Sequence, residues 1–164
     1  MRVECCHYRE FGGAFVEAAV SLQAFLLLIV IGSQLAVGAY KFVSLQYTVA
    51  AAARYASLRQ TETAGCGDMT LEKSIEYQVY EIGGKFGLNF GQPFSYAGAC
   101  TTNGETFNPG FQVCNENDWL CNDHNVGAPY EYAKVEMAHP INLLFFSFNV
   151  TGVAFIRNEP VLGS

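Results

Sequence analysis

Residues 18–40 form a continuous stretch of 23 residues that contains no charged side chain. As an α-helix this stretch would be about 34 Å long, at roughly 1.5 Å per residue. A bilayer core requires about 20 apolar residues, whereas the apolar part of a removable secretory signal has only about 7–15. The sequence therefore predicts a membrane-spanning helix over residues 18–40.

The apolar stretch continues without proline into residues 41–60, which are rich in alanine and other good helix formers. This continuity favours one uninterrupted helix over residues 13–60. Only its first half fits within lipid, so residues 41–60 are expected to form a stem. Residues 1–12 would precede the helix as a short leader, and residues 61–164 would form a separate domain.

Composition narrows the function classes. The chain carries 9 basic and 15 acidic residues, a net charge of −6, and 14% of its residues are aromatic. So many aromatic side chains exclude a disordered chain. The acidic balance argues against a nucleic-acid partner, because neutralising phosphates requires a basic face.

The region after residue 60 predicts an α+β domain. Apolar residues at positions 75, 79, 82 and 86 have helical spacing, which predicts a second helix with one apolar stripe, capped by Asp68 or Thr70. Short strands are predicted over 111–114, 131–137 and 150–157. The predicted fold class is a long N-terminal transmembrane helix followed by a second helix packed on a short antiparallel sheet.

The sequence also predicts which parts of this domain face solvent and which are buried. We expect the charged residues of the second helix to be solvated; they are Glu72, Lys73, Glu76 and Glu81. The segment 139–148 is too apolar for a free loop, so we expect it to pack beneath the second helix. The alternative is an exposed patch for a partner or a membrane surface.

Four cysteines follow the leader: Cys66, Cys100, Cys114 and Cys121. An even number in a loop-rich region of an exported chain suggests two disulfides, with three possible pairings. The rival hypothesis is a zinc site that adds His124, but the separations of 14 and 7 residues do not fit zinc-ligand spacing. We expect no metal and no cofactor. No catalytic motif is present, so we also expect no enzyme activity.

The start of the apolar helix carries an acid. Glu17 lies just inside the apolar segment, where an unpaired carboxylate is costly. Cleavage between Gly12 and Gly13 would make Glu17 the fifth residue and create an α-amine to pair with its carboxylate, in the same or a neighbouring subunit. Further along, Gly32 and Ala36 form a small-xxx-small pair that lets helices approach closely in lipid.

The run Gly12-Gly-Ala-Phe-Val-Glu17 before a long apolar helix resembles the processing site of type IV prepilins and pseudopilins. It is most similar to the TadE-like minor pilins of the tight-adherence (Flp) branch. Three further segments resemble that family: Ala50–Ser57 at the helix end, Lys134–Met137 in a strand and Val153–Pro160 in the closing strand. The resemblance covers residues 11–60 and 130–160.

This resemblance implies a structural pilus subunit. A prepilin peptidase would cut at Gly12-Gly13, Glu17 would set the helix register, and the other partners would be pilin subunits and the assembly machinery. The chain would cross the bacterial inner membrane once, with its domain in the periplasm, and reach the cell surface after assembly. The alternative is a permanently anchored single-pass protein whose outer domain binds a ligand or partner.

Overall fold

The computed structural model describes residues 8–64, 67–90, 92–96, 106–118, 121 and 124–159, with the backbone alone for residues 8–12 and 64. The fold is α+β, as predicted. Its elements are α1 (Tyr8–Ser57), β1 (Thr63–Ala64), β2 (Gly67–Asp68), α2 (Leu71–Lys85), β3 (Phe111–Asn115), β4 (Tyr132–Asn142) and β5 (Ser147–Arg157). Strands β1 and β2 form a small antiparallel pair, and β3, β4 and β5 form an antiparallel sheet in that order.

Helix α1 is a single uninterrupted element of 50 residues. It begins at Tyr8, upstream of the predicted start at Gly13, and it ends at Ser57. Arg59 adopts a positive φ of 51°, and its amide donates to the carbonyl of Ala56 at 3.0 Å, so the chain leaves the helix in a left-handed turn.

The chain divides into two compact units, residues 1–38 and residues 39–164. The division falls inside α1 rather than at residue 61, where the composition changes. The second unit therefore includes the C-terminal part of α1 together with α2 and the sheet.

The core of the second unit joins α1, α2 and the sheet. One face of α1 contributes Leu45, Val49, Ala52, Ala53 and Ala56, all of which are buried. They pack in one cluster with Ile75 and Val79 of α2 and with sheet residues Phe111, Val113, Ala133, Val135 and Met137. The predicted stem is thus a core element of the domain.

Strand β5 meets α1 at a glycine. A Cβ atom added to Gly152 would lie 2.9 Å from Leu45 Cγ and 3.0 Å from Val49 Cγ2. Nearby, Gln46 Nε2 donates a hydrogen bond to the carbonyl of Thr151 at 3.4 Å. The absence of a side chain at position 152 lets α1 approach the strand this closely.

The ends of α2 follow from its sequence. Thr70 is the N-cap, and its hydroxyl accepts a hydrogen bond from the amide of Lys73. At the other end Gly87 has a φ of +70°, and the amides of Gly87 and Leu88 donate to the carbonyls of Gly84 and Gly83. This pair of bonds is a Schellman motif, which requires a residue that tolerates positive φ.

The prediction that Lys73 and Glu76 are solvated is wrong, because both side chains are buried and form an ion pair at 2.6 Å. Glu76 Oε1 also accepts the amide of Asn108 at 2.7 Å, and Lys73 Nζ donates to the carbonyl of Thr106. The Lys73 ammonium lies 4.9 Å from the centre of the Phe94 ring. Chain segments distant in sequence therefore cover this face of α2.

Candidate membrane and assembly surface

The N-terminal part of α1 exposes apolar side chains in every direction. From Gly13 to Val37 each side chain is exposed except that of Gln34, which is half-buried. By length and composition α1 is able to cross a membrane. A helix that is apolar all round requires lipid or other protein around it.

The proposed processing residues lie within this helix. The backbone of Gly12 is helical, and a Cβ atom on Gly13 would meet no atom of the described residues within 4 Å. Glu17 follows one helical turn after Gly13 and is exposed. Within the described part of the chain no salt bridge reaches its carboxylate.

The small-residue pair lies in the same unit. Gly32 and Ala36 are both exposed, one turn apart, and a Cβ atom on Gly32 would meet nothing within 4 Å in the part of the chain that the structure describes. The hydroxyl of Ser33 is turned back to the carbonyl of Val30 at 2.8 Å, so it does not obstruct this face. The pair leaves a place where a second helix can come close.

A second exposed stripe, not predicted from the sequence, continues along the stem. Tyr40, Val43 and Tyr47 are 57%, 65% and 60% exposed and follow one another at i, i+3 and i+7. Their face is opposite the one that Leu45 and Val49 bury in the core. The ring of Tyr47 contacts Phe86 edge-on, at 5.4 Å between centroids. The spacing was visible in the sequence, but it did not show which face the domain covers.

Cys114 and Cys121 form a disulfide that ties the end of β3 to the following turn. Cys66 and Cys100 lie outside the described residues. In this structure two of the three thiols of the zinc hypothesis are bonded to each other. The ring of His124, its fourth ligand, stacks on Phe107 at 4.2 Å. No group of metal-binding side chains occurs among the described residues.

The β4–β5 turn exposes large apolar side chains. Leu144 and Phe145 are 70% and 64% exposed, and Phe146 and Phe148 are also exposed. The prediction that this segment packs beneath α2 is wrong for these four residues. Leu144, Phe145 and Phe146 lie beyond the last strand pair, Asn142 with Ser147, and Phe148 pairs with Ile141 next to it. His139 and Ile141 occupy inward positions of β4 and are buried.

His139 is a buried base in an apolar setting. Its ring lies 5.5 Å from that of Phe90, and its Nδ1 has no hydrogen-bond partner among the described residues. Burial lowers the pKa of His139, and the positive charge of Lys41 lowers it further. The side chain is therefore neutral at pH 7.

A small cavity of about 170 Å³ lies beside α2 and is lined by Glu76, Tyr80, Gln92, Pro93, Ser95, Thr106, Phe107 and Asn108. Both carboxylate oxygens of Glu76 are already engaged, one by Lys73 and one by the amide of Asn108. Burial raises the pKa of Tyr80, whose hydroxyl accepts a hydrogen bond from the Asn108 amide group. Glu76 and Tyr80 thus hold Asn108 against α2.

No protein-family model, no curated protein and no solved structure matches this chain. The described part of the chain combines an exposed apolar helix, an acid near the start of its apolar segment and an exposed stripe along its stem.

Proposed function

We propose that this chain is a structural subunit of a tight-adherence type IV pilus, of the TadE-like minor pilin or pseudopilin kind. In this proposal a prepilin peptidase removes residues 1–12, and α1 anchors the subunit in the inner membrane. The subunit then packs by α1 into the filament, or at its tip or base, and supports filament biogenesis and surface adhesion. The acidic domain lies in the periplasm before assembly.

The observation that carries this proposal is the exposed stripe on the stem. The charge-free stretch ends at Tyr40, so Val43 and Tyr47 extend beyond a lipid-length segment. A simple membrane anchor has no need of apolar side chains there. Neighbouring helices in a filament would cover them, and exposed apolar patches of this kind mark interaction surfaces.

Glu17 supports the same proposal. Its carboxylate lies near the start of the apolar segment, and no salt bridge within the described residues reaches it. The α-amine created at Gly13 by cleavage would supply a positive charge one helical turn away. In a low-dielectric setting such a pair is strongly favoured over an unpaired carboxylate.

The first experiment tests processing. The full chain is expressed with and without a prepilin peptidase, and its N-terminus is determined by intact mass and N-terminal sequencing. We expect a start at Gly13 only when the peptidase is present, and no cleavage in the Gly12→Leu variant. Retention of residues 1–12 in the presence of an active peptidase would favour the permanent anchor.

The second experiment tests assembly, in cells that produce the filament. Glu17→Ala is expected to enter the membrane and be cleaved, yet to be absent from sheared filaments. Normal incorporation of this variant would remove the register role of Glu17.

The stem stripe is tested in the same cells with Val43→Asn. Burying a valine is worth about 1.5–3 kcal/mol, which corresponds to a roughly tenfold or greater loss of association. The matched control is Leu58→Asn, because Leu58 is an exposed apolar residue just beyond the end of α1. Equal incorporation of both variants would show that the stripe makes no contact with other subunits.

A further inference from the structure

The hairpin formed by β4 and β5 is almost free of charge. Between Glu136 and Arg157 the sequence contains no Asp, Glu, Lys or Arg over 20 consecutive residues. The one titratable side chain in this interval, His139, is buried and neutral. Two other stretches of comparable length lack charge, residues 18–40 and residues 86–104.

The end of this hairpin is apolar and open. Leu144, Phe145, Phe146 and Phe148 are all exposed, and the rings of Phe146 and Phe148 stack with centroids 6.0 Å apart. The turn is closed by a hydrogen bond from the amide of Leu143 to the carbonyl of Phe146 at 2.9 Å. We call residues 143–148 the hairpin tip.

Contacts within the second unit show which way the tip points. The amide of Glu159 donates to the carbonyl of Ser57 at 3.0 Å, and Gly152 faces Leu45 and Val49. From Glu159 back to Gly152, the chain therefore runs beside α1 in the direction from Ser57 towards Ala39. Five further residues, from Gly152 to Ser147, extend roughly 16 Å at about 3.3 Å per residue. The tip thus reaches the end of the unit at which α1 enters it.

We propose that the hairpin tip inserts into the surface of the membrane that α1 crosses. Its side chains are those that partition into lipid, and it carries no charge that would resist this. It also lies at the end of the second unit that contains Ala39 and Tyr40, the last residues of the charge-free stretch of α1. The proposal rests on the membrane-anchoring part of the proposed function and does not require a pilus.

The tip is suited to shallow insertion rather than to spanning. A turn has carbonyl and amide groups that hydrocarbon cannot satisfy, so it must remain near the headgroups. Apolar side chains anchored in this way enter roughly 5–10 Å into the boundary between headgroups and acyl chains. Ser147 and Asn149, which flank Phe148, would lie among the headgroups.

The test uses the full chain in liposomes of phosphatidylcholine and phosphatidylglycerol that carry bromine on their acyl chains. Tryptophan is introduced one position at a time into a Trp119→Phe background. Phe145→Trp reports on the tip, and Leu27→Trp reports on the apolar half of α1. Phe155→Trp is the matched control, because Phe155 is 57% exposed on β5 far from the tip.

We expect bromine to quench the fluorescence of Phe145→Trp and Leu27→Trp and to leave that of Phe155→Trp unchanged. Quenching of Leu27→Trp alone would overturn the inference while leaving the anchor intact. A blue-shifted Phe145→Trp emission that bromine does not quench would assign the tip to a protein contact and also overturn it. If Leu27→Trp is not quenched, the membrane anchor fails and the inference fails with it.

Discussion

The contact between the stem of α1 and β5 gives the most direct test of the fold. Gly152→Ala places a methyl group 2.9 Å from Leu45 Cγ, 3.0 Å from Val49 Cγ2 and 3.3 Å from the carbonyl oxygen of Leu45. Carbon atoms in contact prefer separations of about 3.5–4.0 Å. Leu45 and Val49 are packed in the buried core, which restricts their rotamers, and the Leu45 carbonyl oxygen belongs to the backbone and does not move with a rotamer change. The stem must therefore move away from the sheet.

The expected magnitude combines two opposing effects. Forcing an extra methyl group into a packed core costs about 1–3 kcal/mol. Replacing glycine with alanine reduces the entropy of the unfolded chain, which raises the free energy of unfolding by about 0.4–1 kcal/mol. Gly152 does not have a positive φ, so alanine adds no backbone strain. We expect Gly152→Ala to lower the free energy of unfolding by about 1–2 kcal/mol.

The assay is urea denaturation of the full chain in detergent micelles, followed by pulse proteolysis and analysed from the transition midpoint at constant m. Gly84→Ala is the matched control, because a Cβ atom there meets nothing within 4 Å and the site is an exposed position of α2. It is expected to raise the free energy of unfolding by about 1 kcal/mol. The proposed packing of α1 on β5 is refuted if Gly152→Ala is stabilised like Gly84→Ala.

Three further predictions use the same assay. Lys73→Met is expected to lower the free energy of unfolding by about 3–5 kcal/mol, because it leaves the buried Glu76 carboxylate without its counter-ion. Adding Glu76→Gln should recover part of this loss, and no recovery would contradict the pairing. Burial lowers the pKa of His139, so below pH 6.5 the folded state binds fewer protons than the unfolded chain. The free energy of unfolding should therefore fall as the pH drops through 6.5, and it should fall less steeply in His139→Phe. Equal slopes in the two proteins would show that another group is responsible. Replacing Cys114 and Cys121 with serine should cost about 2–3 kcal/mol, and an unchanged transition midpoint would contradict the disulfide.

Local patterns predicted the two helices and the three strands of the larger sheet, but not the short β1–β2 pair. The absence of charge over residues 18–40 and the helix formers that follow predicted α1, because helical propensity and hydropathy act over neighbouring residues. Alternation over residues 131–137 predicted β4, whose inward positions Ala133, Val135 and Met137 are buried. The threonine cap of α2 and the glycine after its end were also local signals.

These local patterns could not predict which segments distant in sequence pack against one another. Lys73 and Glu76 have the spacing of a solvated face, but Phe94 and residues 106–108 cover them, and nothing in the local sequence marks that cover. For the hairpin tip the prediction was wrong in the opposite sense, since burial was expected and the side chains are exposed. Its apolar composition favoured burial, yet β4 and β5 extend past the core and leave the tip uncovered.

The two faces of α1 constrain how such a subunit would assemble. The face with Leu45 and Val49 is already occupied by the domain, so the exposed stripe of Tyr40, Val43 and Tyr47 is the face offered to neighbouring subunits. A hairpin tip in lipid adds a second restraint, since a subunit that leaves the bilayer must withdraw it. Each large apolar side chain that loses its cover costs about 1.5–3 kcal/mol. Assembly would therefore be favourable only where contacts between subunits replace the lipid around both the helix and the tip.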